Sequence, residues 1–190
     1  MKIVVTRMSG LFLTIFLVVA NAILIEIILD LFGVVKHRLI TGIAGTSLII
    51  FSFLYSMRKR KKLITFGKAK NWLQGHEWLS IFGTFIIFVH TGTHFTAIVP
   101  VITLIFMCVA FISGLIGRYV YNNAKAELKT KKKKLEESGL DHDEIEQRLW
   151  ALTVASDALS KWRSAHMPII SFLGIMVIYH AISALYYSGF

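Results

Sequence analysis

The chain carries one cysteine, Cys108, in 190 residues. A disulfide framework or a CxxC metal or redox site within one chain is therefore excluded. It carries two prolines and only 11 acidic residues, against a hydrophobic content of 55%. A water-soluble core of this apolarity is unusual for so short a chain, and the mean hydropathy of +0.64 agrees. Composition places the chain in the membrane class. There is no flavin or nucleotide motif, so a complete redox enzyme in one chain is not expected.

The net charge of +10 is large, but its distribution argues against nucleic acid. Lys2, Arg7, the run RKRKK at 58 to 62, Lys68, Lys70, Arg118 and the basic loop up to Arg163 account for 19 of the 21 Lys and Arg. Only Lys36 and Arg38 fall on the other side of the predicted spans. The positive-inside rule then puts the N-terminus in the cytoplasm and the C-terminus outside. The predicted location is a cell inner (plasma) membrane, with the basic runs also favouring anionic lipid headgroups.

A helix needs about 20 apolar residues to cross a ~30 Å hydrocarbon core. Five segments qualify: about 8 to 31, 39 to 57, 78 to 98, 101 to 121 and 168 to 187. The fourth follows Pro100, a helix-start residue. The first could be a signal peptide ending at Ala20-Asn21-Ala22, but its apolar run continues past that triplet, which favours an uncleaved anchor helix. The expected fold is all-α: five transmembrane helices, of which four form a bundle. The predicted division is an N-terminal helix (1–36), helices two to four (37–121), a cytoplasmic helical hairpin (122–161) and a fifth helix (162–190). In the hairpin, one helix stops at Gly139. A second starts after Asp141-His142-Asp143-Glu144, which resembles a capping box. It places Ile145, Leu149, Leu152 and Leu159 on one broad face. The hairpin reads either as a solvated connector or as a docking site for a soluble partner.

The chemistry lies in histidines within apolar runs. His76 and His90 are fourteen apart in GHEWLSIFGTFIIFVHTGTHF, as are His166 and His180 in HMPIISFLGIMVIYHAI. Fourteen helical residues rise about 21 Å and make close to four turns, leaving both on nearly one face. The third and fifth helices run parallel, so His76 is level with His166 and His90 with His180. Zinc or copper wants three or four donors at one depth. Two facing imidazoles per level suit a six-coordinate haem b, and two levels suit two haems. The alternative is histidines used only in hydrogen-bond networks, as in a metal or proton transporter or an anchor subunit; intramembrane ionisable residues are functional candidates by default.

Glycines at matching depths permit close porphyrin packing or ordinary helix packing. Gly42 and Gly45 lie toward the outer level, Gly114 and Gly117 toward the inner one. Gly83 and Gly174 lie midway between the two histidines of their helices. Lys68, Lys70, Arg118, Lys161 and Arg163 are at the depth of inner propionates, and Lys36 and Arg38 at that of outer ones. His94, four after His90, is an alternative outer ligand, or a propionate or quinone contact; only His90 reproduces the spacing of the fifth helix. Glu26 and Asp30 share one face of the first helix. They are either headgroup-level acids paired with Lys36 or Arg38, or, for Glu26, a proton acceptor beside an outer quinol site. His37 and His142 read as surface residues.

The paired spacing 76/90 and 166/180 resembles the four-helix di-haem core of cytochrome b of the quinol-oxidising complexes. Similar bundles occur in cytochrome b561-like and ferric-reductase-like membrane families. Arg163-Ser-Ala-His166, followed by a proline, resembles the ligand region of the fourth core helix of cytochrome b, where such an arginine contacts a haem propionate. The resemblance spans about residues 37 to 190. It departs in lacking an arginine at the matching place before His76, a fourteen-residue glycine spacing and a PEWY-type quinol-site motif. The expected function is a b-type cytochrome subunit carrying electrons across the membrane, between a quinone pool and a redox partner. The partner subunit would be an iron–sulfur protein, a flavoprotein or a c-type cytochrome.

Overall fold

The computed structural model describes residues 2–34, 37–56, 66–92, 95 and 97–187. The side chains of 2–8, 37, 69, 120–124, 155, 159, 162 and 163 lie outside that description. Among the described residues every regular element is helical. They are α1 (Lys2–Leu31), α2 (His37–Ser52), α3 (Ala69–Thr91), α4 (Ile98–Ile116), a π-helical turn (Gly117–Tyr121), α5 (Asn122–Glu137) and α6 (His142–Tyr187).

Among the described residues four stretches are long and apolar enough to cross a membrane: Ser9–Leu31, Arg38–Ser56, Ile98–Tyr119 and Ser164–Tyr187. The predicted third crossing differs. Helix α3 spans 69 to 91 instead of 78 to 98, and its first half carries Lys70, Asn71, Gln74, His76 and Glu77. Those residues leave it less apolar than the other four. It stops at Gly92, where φ is +53° and ψ is −137°, a backbone conformation that side chains disfavour.

The expected boundary between hairpin and fifth helix, at 161/162, is not a break. Helix α6 is continuous for 46 residues, about 69 Å. Pro168 lies inside it rather than at its start. A proline there removes one backbone hydrogen bond and kinks a helix without necessarily ending it. Likewise the chain is helical without interruption from Ile98 to Glu137. The hairpin is thus a rigid extension of two apolar helices. Its corner is at Gly139, with φ +74°, as the sequence suggests. Ile145 and Leu149 are buried there, and Leu152 is half-buried. Leu159 falls among the undescribed side chains.

Helix α3 packs against α2 and α1, while α4 packs against α6. The α2–α3 crossing is close because Gly45 faces Gly83. A Cβ on Gly45 would lie 2.6 Å from Ile87 Cγ1 and 3.1 Å from the Gly83 carbonyl oxygen. The small-residue explanation therefore holds for this pair. Two small cores complete the bundle: Leu11, Val18, Phe111 and Leu115 between α1 and α4, and Met107, Ala110 and Leu173 between α4 and α6. Most other large apolar side chains face outward, Phe12, Phe16, Ile43 and Ile175 among them. That surface suits hydrocarbon and not water.

Candidate functional site

We call the end of the bundle holding His76 inner and the end holding His90 outer. At the outer end, the rings of His90 and His180 meet with centroids 6.2 Å apart and planes at 61°. The equal spacing on α3 and α6 thus brings these two residues together. His90 Nδ1 is 2.7 Å from the carbonyl oxygen of Arg38. A carbonyl only accepts, so Nδ1 carries the proton, and the neutral ring keeps its lone pair on Nε2. Gly42 makes room for this ring: a Cβ there would lie 2.9 Å from His90 Cε1 and Nδ1.

At the inner end, His76 and His166 line one cavity between α2, α3, α4 and α6. The empty space totals about 1400 Å³, including its open side. Its wall includes Ser52, Glu77, Thr84, Ser113, Gly114, Gly117 and Arg118. His76 Nδ1 is 3.1 Å from the Ser52 carbonyl oxygen, so it too donates from Nδ1. His166 Nδ1 is 3.0 Å from Ser113 Oγ. The Tyr55 ring stacks on His76 at 5.4 Å. A Cβ on Gly114 would sit in ordinary contact with His166, 3.8 Å from Cε1, while one on Gly117 would meet nothing within 4 Å.

Three of the four paired histidines therefore have Nδ1 held by an oxygen on a neighbouring helix. Metal-binding imidazoles are commonly oriented this way, with one nitrogen tied to a carbonyl or hydroxyl and the other free.

Each level also holds an arginine with a buried nitrogen in excess. Arg118 Nη1 is 3.3 Å from Glu77 Oε2, yet that atom is buried without a hydrogen bond of good geometry. The guanidinium lies over Trp78, 5.3 Å from the ring centroid, and beside Tyr119 at 5.5 Å. Arg38 bonds Glu26 Oε1 at 3.2 Å and Asp30 Oδ2 at 3.1 Å, while its Nε is buried with no hydrogen-bond partner among the described residues. Glu26 is 2% exposed. The expected pairing of the two acids with Arg38 is present, and Glu26 is buried within the protein.

Other predicted site residues contribute less. Lys68, Lys70 and Lys161 have exposed side chains. His94, Lys36, the run 58–62 and the Arg163 side chain lie outside the described residues. The roles of Ser52, Ser113, Tyr55 and Glu77 were not legible from spacing. The available signal was a serine within an apolar run, which marks a polar partner inside a bundle. No three His, Cys, Asp or Glu side chains cluster among the described residues. No family model, curated protein or solved structure matches the chain.

The outer end thus offers two imidazole rings 6.2 Å apart between centroids, and the inner cavity is lined by two more, a donor set of two per level. Arg118 and Arg38 are each held by carboxylates of the chain, Glu77 for the first and Glu26 and Asp30 for the second, and guanidinium suits that geometry.

Proposed function

We propose that the chain is a multi-pass b-type membrane cytochrome with two haems, in which α3 forms a fifth crossing. His76 and His166 hold the inner haem iron, and His90 and His180 the outer one. The observation that carries the reading is the His90–His180 pair, 6.2 Å between centroids on the two helices of equal histidine spacing. A bound haem would supply one-electron chemistry. The chain's own residues do the rest. The Arg38 and Ser52 carbonyls and the Ser113 hydroxyl orient the imidazoles. Gly42 and Gly114 leave room beside them. Arg118 and Arg38 present N–H groups to propionates, with Lys70 near His76 in sequence and Lys161 and Arg163 near His166. The apolar faces of α4 and α6 exclude water between the levels.

In this reading the chain carries electrons across a cell inner membrane, N-terminus cytoplasmic, between a quinone pool and another redox subunit. An iron–sulfur protein, a flavoprotein or a c-type cytochrome would serve as that subunit. His94 and Glu26 remain the outer candidates for a quinone or proton contact.

The second reading is a non-redox membrane protein, a transporter or anchor. It is favoured by the hydrogen bonds that His76, His90 and His166 already make. A reduced-minus-oxidised spectrum and a haem-to-protein ratio on the purified protein separate the two. Two haems per chain are expected. No haem α-band, or a single haem, overturns the first reading.

A further inference from the structure

Helix α1 lies outside the four-helix frame that the histidine spacing calls for. Its one fully buried charged group among the described residues is Glu26. An ionised carboxylate away from water is costly unless it is paired. Glu26 Oε1 is paired with Arg38 at 3.2 Å, and Asp30 takes the same guanidinium nitrogen at 3.1 Å. Arg38 also holds His90, because its carbonyl oxygen receives the His90 Nδ1 proton at 2.7 Å. The chain of contacts is therefore Glu26 side chain, Arg38 side chain, Arg38 carbonyl, His90 ring.

A second contact points the same way. Gly92, two residues after His90, has φ +53°, and a Cβ there would collide with the Glu26 carboxylate. Glu26 thus also packs directly on the backbone turn that ends the helix bearing His90.

We infer that Glu26 is a positioning residue for His90, acting through Arg38 and the Gly92 turn, and that α1 serves to set the orientation and basicity of this ligand. The inference rests on the reading of His90 as the outer haem ligand. A hydrogen bond from the far nitrogen of a ligating imidazole raises its basicity and fixes its plane. Removing the Glu26 charge leaves Arg38 with Asp30 as its carboxylate partner, loosens the Gly92 turn and with it the hold on His90, and makes the surroundings of the outer iron more positive. Both effects favour the reduced iron.

The test uses the purified holoprotein with Glu26→Gln and Glu26→Asp. Redox titration should show two waves in the unaltered protein. In Glu26→Gln the outer wave should rise by about 59 mV, a tenfold change in a one-electron equilibrium, while the inner wave holds. The low-spin electron paramagnetic resonance signal of the outer haem should shift as the ligand planes turn. Glu26→Asp, which keeps the charge, should restore most of both, and it supplies the reading if Glu26→Gln does not accumulate as folded protein. Two haems with an unmoved outer wave and signal in Glu26→Gln overturn this inference alone. Equal movement of both waves also overturns it, since that is a general field effect. An unaltered protein without the outer haem overturns the functional reading beneath it.

Discussion

His90 on α3 and His180 on α6 face each other at 6.2 Å between ring centroids, although 90 residues separate them in sequence. Helices α3 and α6 each pack mainly on other partners, α3 on α2 and α6 on α4. The two rings therefore reach across a seam between two helix pairs. Helix bundles build ligand and cofactor sites from side chains on facing helices, and this seam presents two such side chains.

His180→Ala removes one side of that seam. The outer haem should be lost and the inner one retained, halving the haem-to-protein ratio. His90→Ala should do the same. Pyridine haemochrome assay against protein mass checks both. Haem retained in His90→Ala and lost on replacing His94 by Ala would move the outer ligand to His94.

Ser113 is buried and its hydroxyl sits 3.0 Å from His166 Nδ1. Ser113→Ala leaves that nitrogen without its partner, at a cost of about 1 to 3 kcal/mol. The inner haem should bind more weakly and the outer one unchanged. A titration of apoprotein with haemin, followed at the Soret band, reads the difference.

Gly92→Ala should be among the most damaging single-methyl changes in the chain. Its backbone, φ +53° and ψ −137°, is close to glycine-only territory. Non-glycine residues held in such regions cost about 1 to 3 kcal/mol, before the clash with Glu26 is counted. Thermal unfolding in detergent, followed by circular dichroism, should show a clear fall in midpoint.

Gly45→Val and Gly174→Ala make a contrasting pair. The first drives side-chain atoms into Ile87 and the Gly83 carbonyl and should separate α2 from α3. Overpacking of this kind typically costs about 1 to 3 kcal/mol. The second meets nothing within 4 Å, so stability should move by no more than about 0.5 kcal/mol. Comparing the two melting curves checks whether glycine serves packing at the first site alone.

Helix content, the hairpin corner at Gly139 and the two sets of fourteen-spaced histidines were legible in the sequence. Apolar runs and positive-φ glycines are local signals, and a helical repeat converts spacing directly into depth. The extent of α6 was not legible, because Pro168 and a polar stretch before it read as a boundary. A long helix tolerates one proline when neighbouring helices support it. Nor did the sequence separate Gly45, which serves the α2–α3 crossing, from Gly42, which makes room for His90.

By itself, then, the sequence determined an all-helical, strongly apolar chain and the fourteen-residue spacing that sets two histidines on nearly one face of each of two helices, since both follow from composition and the 3.6-residue turn. Tertiary structure alone decided which oxygen holds each ring, that Arg38 joins Glu26 to His90, and that His90 meets His180 across the seam. Those contacts depend on how separate helices rotate and approach, and helix rotation is set by packing between distant segments, not by spacing within one.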